Sequence, residues 1–577
     1  MNNTTLSGGV ADAGGNNGSN GGGIFNLGTL TLNNSTVSGN TAGSGGGIFN
    51  YGDAANAATV ILNKSTVSGN TADDDGGGIF NYGDAANAVT ITLSNSTISD
   101  NEAIEGGGIF NRGAAANAVT LTLNNSTVSG NTVVGNGGGI LNRGFTVNNA
   151  ATLTLNNSTV SGNSADGFGG GILNQGFTVN NAATLTVGNS IIADNTAPTN
   201  PDVGRNNINF ATFTDSGNNL IGIDSLGVFT TSTLVGDTIN PIDPRLAPLA
   251  DYGGPTQTHA LLPDSPAFNA GSNALVPMGF TTEQRGETRI SGTTVDIGAF
   301  ELQLLLSISG GNNQNTTVNT AFADDLQVQV IDEFDNPISL PGIIVELAAP
   351  GTGASTNPDS TTLTTDTNGL ATTTATANTV AGNYQVAATA TGVTTVNFNL
   401  TNDPGAAVLL NILTGNNQNT TVNTAFTDSL QVQVTDEFGN AVPNVTLTFT
   451  TPSTGASSSL GSTTLTTDAE GIATTTATAN TVAGEYQVGA NVTGLNTVNF
   501  DLTNNHGAAA ILNILTGNNQ SADVNSAFAN SLQIQVTDEF GNVVPGVTVT
   551  FTAPGTGASA SFSSISLTTV RARWGQN

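Results

Sequence analysis

The sequence predicts an all-β protein in which a parallel β-helix precedes tandem β-sandwiches. Three observations predict it. A short phrase, "GGGIFN…TLTLNNSTVSGN", recurs six times before residue 198. A longer unit, marked by "LQVQVIDEF", "LQVQVTDEF" and "LQIQVTDEF", recurs after residue 303, its Asp332, Asp436 and Asp538 lying 104 and 102 residues apart. Both units alternate apolar and polar residues, and neither shows a helical period.

In the short repeat the glycine triplets begin at Gly21, Gly45, Gly76, Gly106, Gly137 and Gly169, so the steps are 24, 31, 30, 31 and 32 residues. A fixed period in this range marks a solenoid. The extra residues of the longer copies fall in one place, between "NYG" or its equivalent and the next apolar strand, as in "DAANAA" and "FTVNNAA". The unit is therefore a coil of about 24 residues with a loop inserted at one corner. "GGIF", "TLTL" and "STVS" give it three short strands, and stacked coils close a core that one coil cannot.

Stacking at this period aligns three apolar columns. They are Ile24, Ile48, Ile79, Ile109, Ile140 and Ile172; Leu32, Leu62, Leu93, Leu123, Leu155 and Val187; and Val37, Val67, Ile98, Val128, Val160 and Ile192. Two asparagine columns accompany them, running from Asn26 to Asn174 and from Asn40 to Asn195. Stacked asparagines bond to their neighbours above and below, and asparagine tolerates the left-handed backbone of a sharp corner. "NST" also fits a glycosylation acceptor, but the ladder explains the asparagine without one. Residues 1–198 are assigned to the β-helix. The opening "NNTTLSGG" matches the second half of a coil, so the chain reads as a fragment that starts in mid-repeat, without its signal peptide.

A chain of 577 residues is too long for one core. Its formal net charge is −32, with one lysine and eight arginines. That argues against nucleic acid or an anionic membrane surface as partner. Cysteine is absent, which fits an exported bacterial protein that needs no oxidative folding. No run of apolar residues is long enough to span a membrane.

Residues 199–302 lose the period and carry "SGNNLIG", "DPRLAPLADYGGPTQTHALLPDSPAFNAG", "TEQRG" and "DIGAFE". In these motifs the segment resembles the choice-of-anchor Q module that follows such repeats in exported bacterial proteins, with Glu283 at the usual Asp of "TDQRG". An open β-helix end exposes apolar columns and strand edges, so this segment is expected to cap it. His259 has no second histidine near it in sequence and reads as a packed residue.

Residues 303–403, 404–505 and 506–577 form three copies of the longer unit. Many strands and turn signals within each read as an immunoglobulin-like sandwich. The "DEFGN" turn, "TTD-x-x-G" and "AG-x-Y-x-V" make the copies similar to the bacterial immunoglobulin-like domains of group 1, the intimin and invasin type. The resemblance implies an adhesin-like surface protein, extracellular or associated with the outer membrane, whose partners are glycans or molecules of host or neighbouring cells. In the third copy Val570 replaces the aspartate at Asp468, and the closing "VRARWGQN" matches neither earlier copy, so this domain is expected to be incomplete.

Two constellations carry possible chemistry. Asp75 and Glu105 each precede a glycine triplet and should stack one coil apart. Paired carboxylates suit a calcium ion or a glycoside hydrolase, and otherwise make a solvated acidic turn. The second is the column Tyr51, Tyr82, Arg112 and Arg143, in the "N-x-G" position. Exposed, it would hold sugar rings or acidic glycans by stacking and bidentate bonds; otherwise it is a self-stacked ladder. The expected function is a surface binding protein with no enzymatic activity and no resident cofactor. The alternative is a secreted polysaccharide lyase or hydrolase with accessory sandwiches.

Overall fold

The computed structural model describes all residues except 12–18, 85–86, 115–117, 145–149, 178–182, 206–209, 231–232, 263 and 571–577. The repeats build a stacked column of parallel strands. Three long sheets run the length of the solenoid, and a shorter fourth sheet closes one corner. The first holds the "IFN" strands, the second the "TLTL" strands and the third the "TVS" strands.

The predicted register is observed without a slip. Ile79 pairs with Ile48 on one side and Ile109 on the other. Leu93 pairs with Leu62 and Leu123, and Ile98 with Val67 and Val128. All three columns are buried from the second coil onward and form one core cluster. A one-residue slip would turn every such side chain outward, so the apolar pattern fixes the pairing.

Both asparagine columns are continuous ladders. Asn50 Nδ2 donates to Asn81 Oδ1 at 2.8 Å, and Asn81 to Asn111 at 2.7 Å. Asn70 donates to Asn101 at 2.9 Å, and Asn101 to Asn131 at 2.8 Å. Neither column is left-handed. The left-handed asparagines form a third column at the second Asn of "NNST", from Asn34 (φ 47°) through Asn95, Asn125 and Asn157 to Asn189, with Lys64 (φ 50°) in the same place. The first glycine of each triplet is also left-handed, with φ of 64° to 72°.

Parallel pairing continues beyond residue 198. Val203 joins the column of Ile172, Leu220 pairs with Ile191, and Leu234 pairs with Leu220. Val228 and Phe229 pack into the solenoid core at this end, and the segment then runs on past them. It folds back along the outside of the "TVS" sheet as a strap. Thr127 Oγ1 donates to Gln284 at 2.6 Å, Asn125 Nδ2 to the Thr282 carbonyl at 2.8 Å, and the Ala299 amide to Thr159 Oγ1 at 3.1 Å. Hydroxyls in register along a sheet give the strap a row of polar anchors.

The strap encloses a charged cluster. Glu283, Arg285, Arg289, Asp296 and Glu301 are all buried. Arg289 donates to the carbonyls of Asp296 and Gly298, each at 2.9 Å. Arg285 leaves the cluster to bond Glu333 of the first sandwich at 2.6 Å. Burial pushes the Asp296 carboxyl up to about 7 and raises Glu301 as well.

The first two sandwiches share one topology. A three-stranded antiparallel sheet (304–310, 326–332, 370–373) faces a five-stranded sheet that includes 344–348, 382–390 and 393–403. "LQVQV" buries Leu326, Val328 and Val330 and leaves its glutamines half-buried. Residues 409–505 repeat the arrangement. In the third copy only two strand pairs form among the described residues, 511–516 with 533–537 and 548–550 with 566–568. No helix of the described residues is long and apolar enough to cross a membrane, and no Lys or Arg occurs between Arg289 and Arg571.

Candidate functional site

The "IFN" strands place two side-chain columns on the outer face of their sheet. Ile points inward, so Phe and the residue after Asn point outward. The inner of these outer columns is aromatic. Phe25 and Phe49 stack at 5.3 Å, Phe49 and Phe80 meet edge-on at 5.1 Å, and Phe80 and Phe110 stack at 5.1 Å. Phe49, Phe80 and Phe110 are buried although they lie outside the coil, whereas Phe25 is 47% exposed. The first coil is the one that lacks the corner insertion.

Tyr51, Tyr82, Arg112 and Arg143 form the next column, paired in register. The tyrosine rings stack at 5.7 Å and 14°. Tyr51 donates its hydroxyl to Asp84 at 2.9 Å; burial and that carboxylate push its pKa up to about 12. The Arg112 guanidinium lies 5.3 Å from the Tyr82 ring centre.

The two constellations that the sequence separates are one site. Asp75 and Glu105 are bridge partners in successive coils, and each faces an arginine of the next coil. Arg112 Nη1 lies 3.5 Å from Asp75 Oδ2. Arg143 grips Glu105 with both terminal nitrogens, Nη2 donating at 2.9 Å, while its Nε donates to Gln175 at 2.7 Å. Arg143 is only 8% exposed. The expectation of an exposed Tyr–Tyr–Arg–Arg strip therefore fails at Arg143, whose fork is turned onto the acidic corner. What stays open is Tyr51, Tyr82 and the edge of Arg112, all half-buried.

The carboxyls respond in opposite directions. Burial pushes Asp75 up to about 6, against the pull of Arg112. Burial also acts on Glu105, but the Arg143 bonds outweigh it and hold that carboxyl below its ordinary value. Two carboxylates matched by two guanidiniums do not fit a calcium ion, which needs six to eight free oxygen ligands. Among the described residues no cluster of three or more metal-ligating side chains exists. The "TDTNG" and "TDAEG" segments are turns in which Asp366 and Asp468 accept from the backbone amides of Leu370 and Ile472. His259 lies on the inner side of the strap, bonded to Ser129 of the solenoid at 2.9 Å and to the Ala247 carbonyl at 2.8 Å.

A further site lay hidden in the "DEFGN" turn, which is also the joint between sandwiches. Asp436 accepts from the amides of Phe438 and Asn440 in its own turn, and from Gly405 of the connecting segment at 2.8 Å. Asn440 reaches back to the preceding domain, bonding the Ala381 amide and the Thr379 carbonyl, each at 2.9 Å. Asp538 and Asn542 repeat this joint with Gly507, Ala483 and Thr481. The signal in sequence was the invariance of Asp and Asn among the three copies, which a turn alone does not require.

Strand pairing and topology define the class of the chain: a parallel β-solenoid followed by immunoglobulin-like sandwiches. No protein-family profile matches it, and no curated protein matches it. Three solved structures are similar in part. FdeC, a broadly conserved Escherichia coli adhesin, is 17% identical, with TM-score 0.30, over 45% of this chain and 83% of its own. Yersinia pseudotuberculosis InvD is 17% identical, with TM-score 0.30, over 46% of this chain and 80% of its own. Invasin, a bacterial integrin-binding protein, is 20% identical, with TM-score 0.23, over 45% of this chain and 53% of its own.

Proposed function

We propose that the chain is an extracellular, cell-surface binding protein of adhesin type, with the β-solenoid as head and the sandwiches as stalk. The observation that carries this reading is mechanical continuity. One apolar core runs from Ile191 and Leu220 of the solenoid, through Phe300 and Leu302, to Val328 and Val345 of the first sandwich. The Asp–Asn joint then fastens the second and the third sandwich each to the one before it. A head mounted this way transmits its orientation down the stalk, which suits display at a distance. The head's binding face in this reading is Tyr51, Tyr82 and the edge of Arg112, and its ligands are glycans of host or neighbouring cells. Neutral sugars suit the stacked rings.

Glycan-array and cell-binding measurements on the intact chain test the reading. Tyr51→Ala with Tyr82→Ala should abolish the strongest binding and leave the melting curve of the sandwiches unchanged. Undiminished binding by that variant places the adhesive surface elsewhere.

A second reading, a carbohydrate-active enzyme, draws on one observation. Asp75 and Glu105 are adjacent, with carboxyls displaced in opposite directions, the pattern of an acid–base pair. Release of new reducing ends from acidic polysaccharides, lost in Asp75→Asn, would establish it. Retention without cleavage returns the site to binding.

A further inference from the structure

The "TLTL" sheet has a face that neither the strap nor the arginine site uses. Its strands alternate strictly, apolar residues in and threonines out. Thr90 and Thr92 therefore lie beside Thr120 and Thr122, and these beside Thr152 and Thr154, in exact-register pairs. The ranks on either side continue the array, with one departure at Ile61.

Four properties set this face apart. Its hydroxyls form a two-dimensional lattice, spaced about 4.8 Å between coils and about 6.6 Å along each strand. Among the described residues none of those six hydroxyls has a protein hydrogen-bond partner, whereas Thr97, Thr127 and Thr159 of the neighbouring sheet all bond the strap. In a chain of net charge −32, the outward positions of these strands bear no ionisable side chain; Asp215, in the last strand, is in register with inward-facing Val187. The face also bears no aromatic ring, which a crystalline polysaccharide would use for stacking.

A neutral, regular array of methyl and hydroxyl groups is suited to ordering water: a hydroxyl offers each water a bonding site, and a methyl walls the gap between sites. The two spacings are close to the repeats of water oxygens on a prism face of hexagonal ice. We infer that this threonine face is an ice-binding site, its ligand being the surface of an ice crystal. It occupies a different sheet from Tyr51 and Tyr82, so the two faces stand or fall separately.

The test uses the purified full chain in a supercooled solution seeded with single ice crystals. The wild type should facet the crystals, stop their growth within a measurable gap below the melting point and, when fluorescently labelled, coat them. Thr122→Tyr should remove the gap and the coating, since one bulky ring at the centre lifts the flat face off the crystal. Thr132→Tyr, on the fourth sheet, should leave both intact. If Thr122→Tyr fails to fold, as read by its melting curve, Thr154→Lys tests the same face by charge and should give the same loss. Rounded crystals, free growth and unlabelled ice with the wild type overturn the proposal. Adsorption to microcrystalline cellulose but not to ice also overturns it, in favour of a polysaccharide surface.

Discussion

Arg143 reaches back across a coil boundary to close a two-pronged grip on Glu105, and its Nη2 stands 2.9 Å from the carboxylate. The pair is three-quarters or more withdrawn from water, with side-chain exposures of 10% and 23%. Removing one partner leaves the other charge poorly solvated. Arg143→Ala should therefore destabilise the solenoid by about 2–3 kcal/mol, measured by urea unfolding. Arg143→Lys should recover only part of the loss, because an ammonium cannot make the fork.

The inner columns set a stricter limit. Ile109 has no exposed surface and sits between Ile79 and Ile140. Ile109→Val should cost about 1 kcal/mol. Ile109→Asp should prevent the head from folding, because no partner for the charge exists in an all-apolar column. Far-ultraviolet circular dichroism with limited proteolysis would read both.

Acid should strengthen the junction between head and stalk. Burial pushes Asp296 up to about 7 and raises Glu301, in a cluster that also holds Glu283, Arg285 and Arg289. A carboxyl raised by folding favours the folded state while protonated, and that advantage is lost as pH climbs through the raised value. The melting temperature of the head should fall between about pH 4 and about pH 7. Asp296→Asn should lower it overall, since one amide acceptor is lost, but flatten the slope. An unchanged slope would mean that other groups control it.

The stalk joints should answer to Asn440. Asn440→Ala removes both bonds to the preceding sandwich and leaves the Asp436 turn its two backbone amides. Small-angle scattering should show a shorter maximum dimension as the joint bends, with little change in melting temperature. A stalk as long as the wild type would show that apolar contacts alone align the domains.

How far these features could be read in sequence follows from the kind of contact involved. Ile48 above Ile79 is legible because a strand alternates with period two and the coil repeats with a near-constant length, so spacing alone dictates the pairing. The asparagine ladders are legible for the same reason. The left-handed corner was misplaced because each coil offers several asparagines, and Lys64, which shares that column, hides the pattern. The union of Arg112 with Asp75 and Arg143 with Glu105 was not legible. It depends on how far a long side chain reaches between coils, which no periodicity records. The strap was hidden too, since Gln284 finds Thr127 across 157 residues. Such a contact leaves no local signature.

The stretch between Arg289 and Arg571 holds no lysine or arginine. An enzyme that cuts after lysine or arginine has no site anywhere along the two complete sandwiches or their joints. In the solenoid it meets Lys64 exposed at a corner, but Arg143 sealed in its grip on Glu105. Digestion of this kind would nick the head while the stalk stayed whole. In surroundings rich in trypsin-like proteases, durability is thus built into the stalk by what was left out of its composition.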